Sequence, residues 1–82
     1  MALTIALKPI AVMTGSNDRD GRLVLVNGEL VAVLVQLDSA AHGDQRGCWF
    51  LEAGFGPCNS PSHPVFRDLE DAQAWVVKRL RA

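Results

Sequence analysis

The chain has 82 residues, 49% hydrophobic and 21% charged, with a formal net charge of −1. A chain of this length makes one domain, residues 1–82, and buries only about 60–65% of its unfolded surface, so its interior is small. The near-neutral charge argues against nucleic acid as a partner, since phosphate recognition draws on clustered Lys and Arg; no run approaches the roughly 18 apolar residues of a membrane span.

The N-terminal stretch is apolar but has no basic leader region, and Lys8-Pro9 interrupts what would be its apolar core. It reads as mature protein rather than as an export signal. Leu3, Ile5 and Leu7 alternate with Thr4, Ala6 and Lys8, the period of a strand. After Pro9 the apolar phase moves by one, to Ile10 and Val12. Proline belongs on an edge strand or at a bulge, and a bulge produces such a shift. Residues 2–13 are therefore expected to form an edge strand broken at Pro9, or two short strands.

A polar loop from Gly15 to Gly21 leads into a β-hairpin over 22–37. Asn27-Gly28 supplies two residues that tolerate positive φ, as a type I′ turn requires. A two-residue turn sets Leu25 opposite Leu30 and Val24 opposite Val31. One face then carries Leu23, Leu25, Leu30, Ala32 and Leu34. The other carries Val24, Val26, Val31, Val33, Val35 and Leu37. Neither face is polar.

A second polar loop, Asp38 to Gly47, precedes a third main strand over 47–53, which ends at Gly54-Phe-Gly-Pro57. Here Phe55 is expected to tuck into the core. Three prolines in 57–64 mark an irregular connection. The last element is a helix. Asp68 is its N-cap, Glu70 and Asp71 sit in the first turn, and Lys78, Arg79 and Arg81 suit the C-terminal end of the dipole. Leu69, Ala72, Val76 and Leu80 form one stripe, with Trp75 beside it. Strands followed by a helix give an α+β domain: an antiparallel sheet of three to four strands with one C-terminal helix packed on one face.

Few residues suggest chemistry. Cys48, Cys58, His42 and His63 make up the one set with zinc-type donors, but nine residues separate the cysteines and no Cys-x-x-Cys is present. Neither a bound metal nor a disulfide is expected. Two cysteines without an export signal fit reduced thiols in the cytoplasm. His42-Gly-Asp44 lacks a nucleophile placed by any motif, and Gly54-Phe-Gly lacks the helix that a phosphate loop needs directly behind it. Glu52 lies within an apolar strand and calls for a partner, Arg22 or Arg46. No catalytic, cofactor or metal residue is assigned.

The run Trp49-Phe50-Leu-Glu-Ala-Gly-Phe-Gly-Pro-Cys58, followed by Phe66-Arg-Asp-Leu-Glu-Asp-Ala-Gln-Ala-Trp75, resembles a pattern of small bacterial α+β proteins. In these a strand with an aromatic pair precedes a helix of this opening. The resemblance covers residues 22–80 and implies no activity.

The two apolar sheet faces are the strongest functional indication. One helix covers one face, and an uncovered face of this kind exceeds what soluble monomers leave in water. The expectation is a non-enzymatic module that self-associates as a homodimer or binds a protein partner, with Val24, Val31, Val33 and Val35 at the interface. Closure of that face by residues 2–13 and the proline-rich loop is the competing arrangement. The alternative function is a small ligand- or metal-handling protein using Cys48, Cys58, His42 and His63.

Overall fold

The computed structural model describes residues 3–15, 18–38 and 40–81, with backbone alone for 40–42. Five strands form an antiparallel sheet in the order β1-β2-β3-β4-β5. They are β1 (Ile5–Ala11), β2 (Asp20–Val26), β3 (Glu29–Gln36), β4 (Trp49–Gly54) and β5 (Val65–Phe66), followed by the helix α1 (Leu69–Arg81). The α+β class follows the sequence expectation. The strand number exceeds it by β5, two residues that follow Pro64 and are too short to carry a period.

The hairpin turn is Asn27-Gly28, with φ of 52° and 84°, and Leu25 faces Leu30. Asn27 also ties the turn to the chain start. Its Oδ1 accepts from the Thr4 amide at 2.9 Å, and its own amide donates to the Thr4 carbonyl at 2.8 Å. Beyond Leu25 the register departs from a simple hairpin. Val24 pairs with Ala32, not Val31, and Leu23 with Val33. Val31 is the extra residue of a β-bulge. A second bulge lies on β4, where Leu34 pairs with Leu51 and Val33 with Ala53, leaving Glu52 as the extra residue.

A bulge moves everything beyond it to the opposite face. As a result Val24 and Val26 share a face with Ala32 and Leu34, while Leu23 and Leu25 share the other with Val33 and Val35. The first is the helix face. Val24, Val26, Ala32, Leu34, Trp49, Leu51, Cys58 and Phe66 form the core there with Ala72 and Val76 of α1, and Leu3, Ile5 and Leu7 pack at its margin.

β1 corrects the expectation of a break at Pro9. Its register to β2 runs unbroken from Ile5 opposite Val26 to Ala11 opposite Asp20, with Pro9 opposite Arg22. The proline is tolerated because β1 is the sheet edge. The apolar phase shift has another cause. Ile5 and Leu7 point to the helix face, whereas Ile10 belongs to the other and is 43% exposed.

The helix begins as its cap predicts: the Asp71 amide donates to Asp68 Oδ1 at 2.8 Å. Ala72 and Val76 are buried, and Trp75 packs on Phe66 with ring centroids 5.5 Å apart. Arg79 anchors the last turn through bonds to the Pro57 and Asn59 carbonyls at 2.9 and 3.3 Å. These contacts hold α1 over the β4–β5 side and leave an open trough of about 780 Å³ lined by Ile5 of β1 and by Ala74, Val77, Lys78 and Arg81 of the helix. Gly54 must be glycine, because a Cβ there would collide with the Cys58 carbonyl where the 3₁₀ segment Gly56–Cys58 folds back over the strand end.

Candidate interaction face and cleft

The sheet face turned away from α1 is built by register. Rows across the sheet run Lys8–Leu23–Val33–Ala53 and Ile10–Gly21–Val35–Phe50–Val65, with Ala6–Leu25–Leu30 on the turn side. Leu23, Leu25 and Val33 are half-buried, while Leu30 is 40% exposed. Together with Ile10 they form a mostly apolar surface over β1, β2 and β3, in which the exposed Lys8 lies between Ala6 and Ile10.

The far end of this face is different. Asp18 is buried there, 6% exposed, and its Oδ1 accepts from the Asp38 amide at 2.6 Å. Thr14 Oγ1 donates to the Asp18 carbonyl at 2.8 Å. These bonds draw the loop after β1 against the start of the loop after β3, and Val35 is left only 2% exposed. Between loop and sheet lies a cleft of about 300 Å³ lined by Thr14, Asp18, Val35, Phe50, Glu52 and Val65 among others. Its floor is apolar, and Glu52 lies at its exposed margin.

The four valines expected at one interface are parted by the Val31 bulge. Val24 is 1% exposed in the core under the helix. Val31 is the bulged residue and packs at the core margin. Val33 lies on the open face, and Val35 on the same side beneath the loop. Beside Val33 the surface instead takes Leu23, Leu25 and Leu30, which the unbulged register had set on the opposite face, together with Ile10. Register assignment rests on one face being polar, and here neither is.

Among the described residues the metal-type donors do not converge. Cys58 belongs to the core under α1. His63 is on the opposite side of the sheet, its ring stacked on Phe50 with centroids 5.6 Å apart and planes 7° from parallel. Its Nδ1 lies 2.9 Å from the Leu51 carbonyl; since a carbonyl only accepts, Nδ1 carries the proton. Cys48 precedes β4 and is half-buried. The side chain of His42 falls outside the described residues. Among the described residues no three His, Cys, Asp and Glu side chains form a metal-type group. Both cysteines are free, and burial pushes the Cys58 thiol up, with Arg79 pulling weakly the other way.

Glu52 and Phe55 also depart from expectation. Glu52 is exposed on its bulge. Arg22 turns away from it, placing its guanidinium 5.1 Å from the Trp49 ring centroid and bonding the Gly21 carbonyl at 2.8 Å. Phe55 is 47% exposed rather than in the core, because the chain reverses directly into the 3₁₀ segment. No helix among the described residues is long and apolar enough to cross a membrane.

Neither family models, nor curated proteins, nor solved structures match this chain.

Proposed function

We propose that this protein is a non-enzymatic cytoplasmic module that works by self-association, as a homodimer, through the sheet face opposite its helix. The observation that carries the reading is the apolar surface of Leu23, Leu25, Val33, Leu30 and Ile10, with the last two about two-fifths exposed. Burying about 600 Å² of apolar surface releases roughly 15 kcal/mol before association entropy and side-chain ordering are subtracted. Association costs about 4–15 kcal/mol before side-chain ordering, so a dimer forms only where most of this gain is kept. The same surface suits another protein of matching shape.

Val33 is the residue to test. It stands mid-sheet on the open face and outside the core. Val33→Lys places a charge at the centre of the interface, and sedimentation equilibrium should show a monomer with an unchanged circular dichroism spectrum. A Val33→Lys protein that sediments as wild type contradicts the reading. A ligand- or metal-handling role for Cys48, Cys58, His42 and His63 has less support, since the sheet separates Cys58 from His63.

A further inference from the structure

β1 is the free edge of the sheet beside the helix trough, and its pairing with β2 shows which of its backbone groups are unused. The Asn27 amide donates to the Thr4 carbonyl at 2.8 Å, and the Val12 amide to the Arg19 carbonyl at 2.9 Å. Register between these two pairs is unbroken, and bonded pairs alternate along an antiparallel ladder. Ala6, Lys8 and Ile10 therefore bond to β2, whereas Ile5, Leu7, Pro9 and Ala11 turn their backbone groups off the sheet. Pro9 thus stands where its missing donor breaks no bond within the fold. The same proline hinders strand addition along its own stretch of the edge. What stays receptive is the stretch from Ile5 to Leu7.

The trough of about 780 Å³ flanks this stretch. Apolar Ile5, Ala74 and Val77 line it together with the cations Lys78 and Arg81, and among the described residues no carboxylate does. Ala74, Lys78 and Arg81 are exposed and Val77 is half-buried. A strand added to β1 lies about 4.8 Å beyond it. Its residues opposite Ile5 and Leu7 share their face, which is the helix face, so their side chains project toward the trough.

We infer that this edge and trough bind an acidic, extended segment of another protein, added antiparallel to β1. Its backbone bonds to Ile5 and Leu7, an apolar side chain enters the trough, and a carboxylate two residues along the same face meets Lys78 or Arg81. Charge favours this occupant over a second copy. β1 carries Lys8 and no acidic residue, so two paired β1 edges would bring the cations of both copies to one seam without a counter-charge. The site lies on the helix side of the sheet and is independent of the face proposed for self-association.

The probe is an end-capped, fluorescein-labelled peptide of about eight residues repeating Thr-Val-Thr-Glu, which sets Val and Glu alternately on one face. Fluorescence anisotropy with the full chain should show saturable binding below about 1 mM. Lys78→Glu and Arg81→Glu, both at exposed helix positions, should each weaken it roughly fivefold, with circular dichroism unchanged. A probe with Lys in place of Glu should bind at least about tenfold more weakly. In the bound strand the Val and Glu amides face β1 and the Thr amides face away. N-methylation of the Val and Glu amides should therefore abolish binding, while N-methylation of the Thr amides should spare it. Hydrogen exchange at the Ile5 and Leu7 amides should slow at least about tenfold on saturation. No saturation by about 1 mM, equal binding of the Lys probe, or equal loss from both methylations overturns the inference. So does binding that leaves exchange at Ile5 and Leu7 unchanged. Protection of these two amides that grows with protein concentration and without any peptide would show a second copy on the edge, which also overturns it.

Discussion

Asn27 shows how much one side chain can settle. Its φ of 52° lies where most residues lose about 1–2 kcal/mol, and its Oδ1 also holds the Thr4 amide. Asn27→Ala forfeits both and should destabilise the fold by about 1–2 kcal/mol in urea unfolding. Cys58 offers a second test. Its thiol is buried and raised, whereas Cys48 is half-buried. A thiol reagent should therefore modify Cys48 first and reach Cys58 only as the protein opens. The sign of the pH effect follows from the direction of the shift. A folded-state pKa above the unfolded one gives stability that is fully present below the unfolded value, about 8.5, and is lost as pH rises from there through the folded value. Stability measured by urea should fall above about pH 8.5, and Cys58→Ala should remove that part of the decline. Equal labelling rates for the two thiols in native protein would contradict the placement of Cys58.

At the scale of elements, the helix is the best-defined prediction of the sequence. Val76 is 1% exposed against the sheet, so Val76→Asp buries an unpaired carboxylate and should cost on the order of 4 kcal/mol, enough to unfold a domain of this size. An unchanged thermal melt would show that α1 is not packed as described. What the sequence made legible here were features with strong local chemistry: the Asn27-Gly28 turn, the Asp68 cap, and the stripe of Leu69, Ala72, Val76 and Leu80. What it concealed were the bulges at Val31 and Glu52, because a bulge announces itself through a change of face and this hairpin is apolar on both. The assignment of the Leu and Val faces failed for that reason. So did the set Val24, Val31, Val33 and Val35, of which only Val33 sits on the open surface. β5 went unseen because two residues carry no period, and the break expected at Pro9 was a change of face within an unbroken edge strand.

At the scale of the whole molecule, the described residues form a five-stranded sheet with one helix, and the helix covers only part of one side. The loop held by Asp18 closes part of the other, over Val35 and beside the cleft. Between that loop and the hairpin turn the sheet shows Leu23, Leu25, Leu30, Val33 and Ile10. Under the proposed self-association this surface is the working part of the protein, closed by a second copy. The most direct test is the mass of the wild-type chain by light scattering at tens of micromolar, in moderate salt. A homodimer predicts twice the 8.9 kDa of the chain, falling toward a single chain on dilution. A constant 8.9 kDa across that range would contradict it.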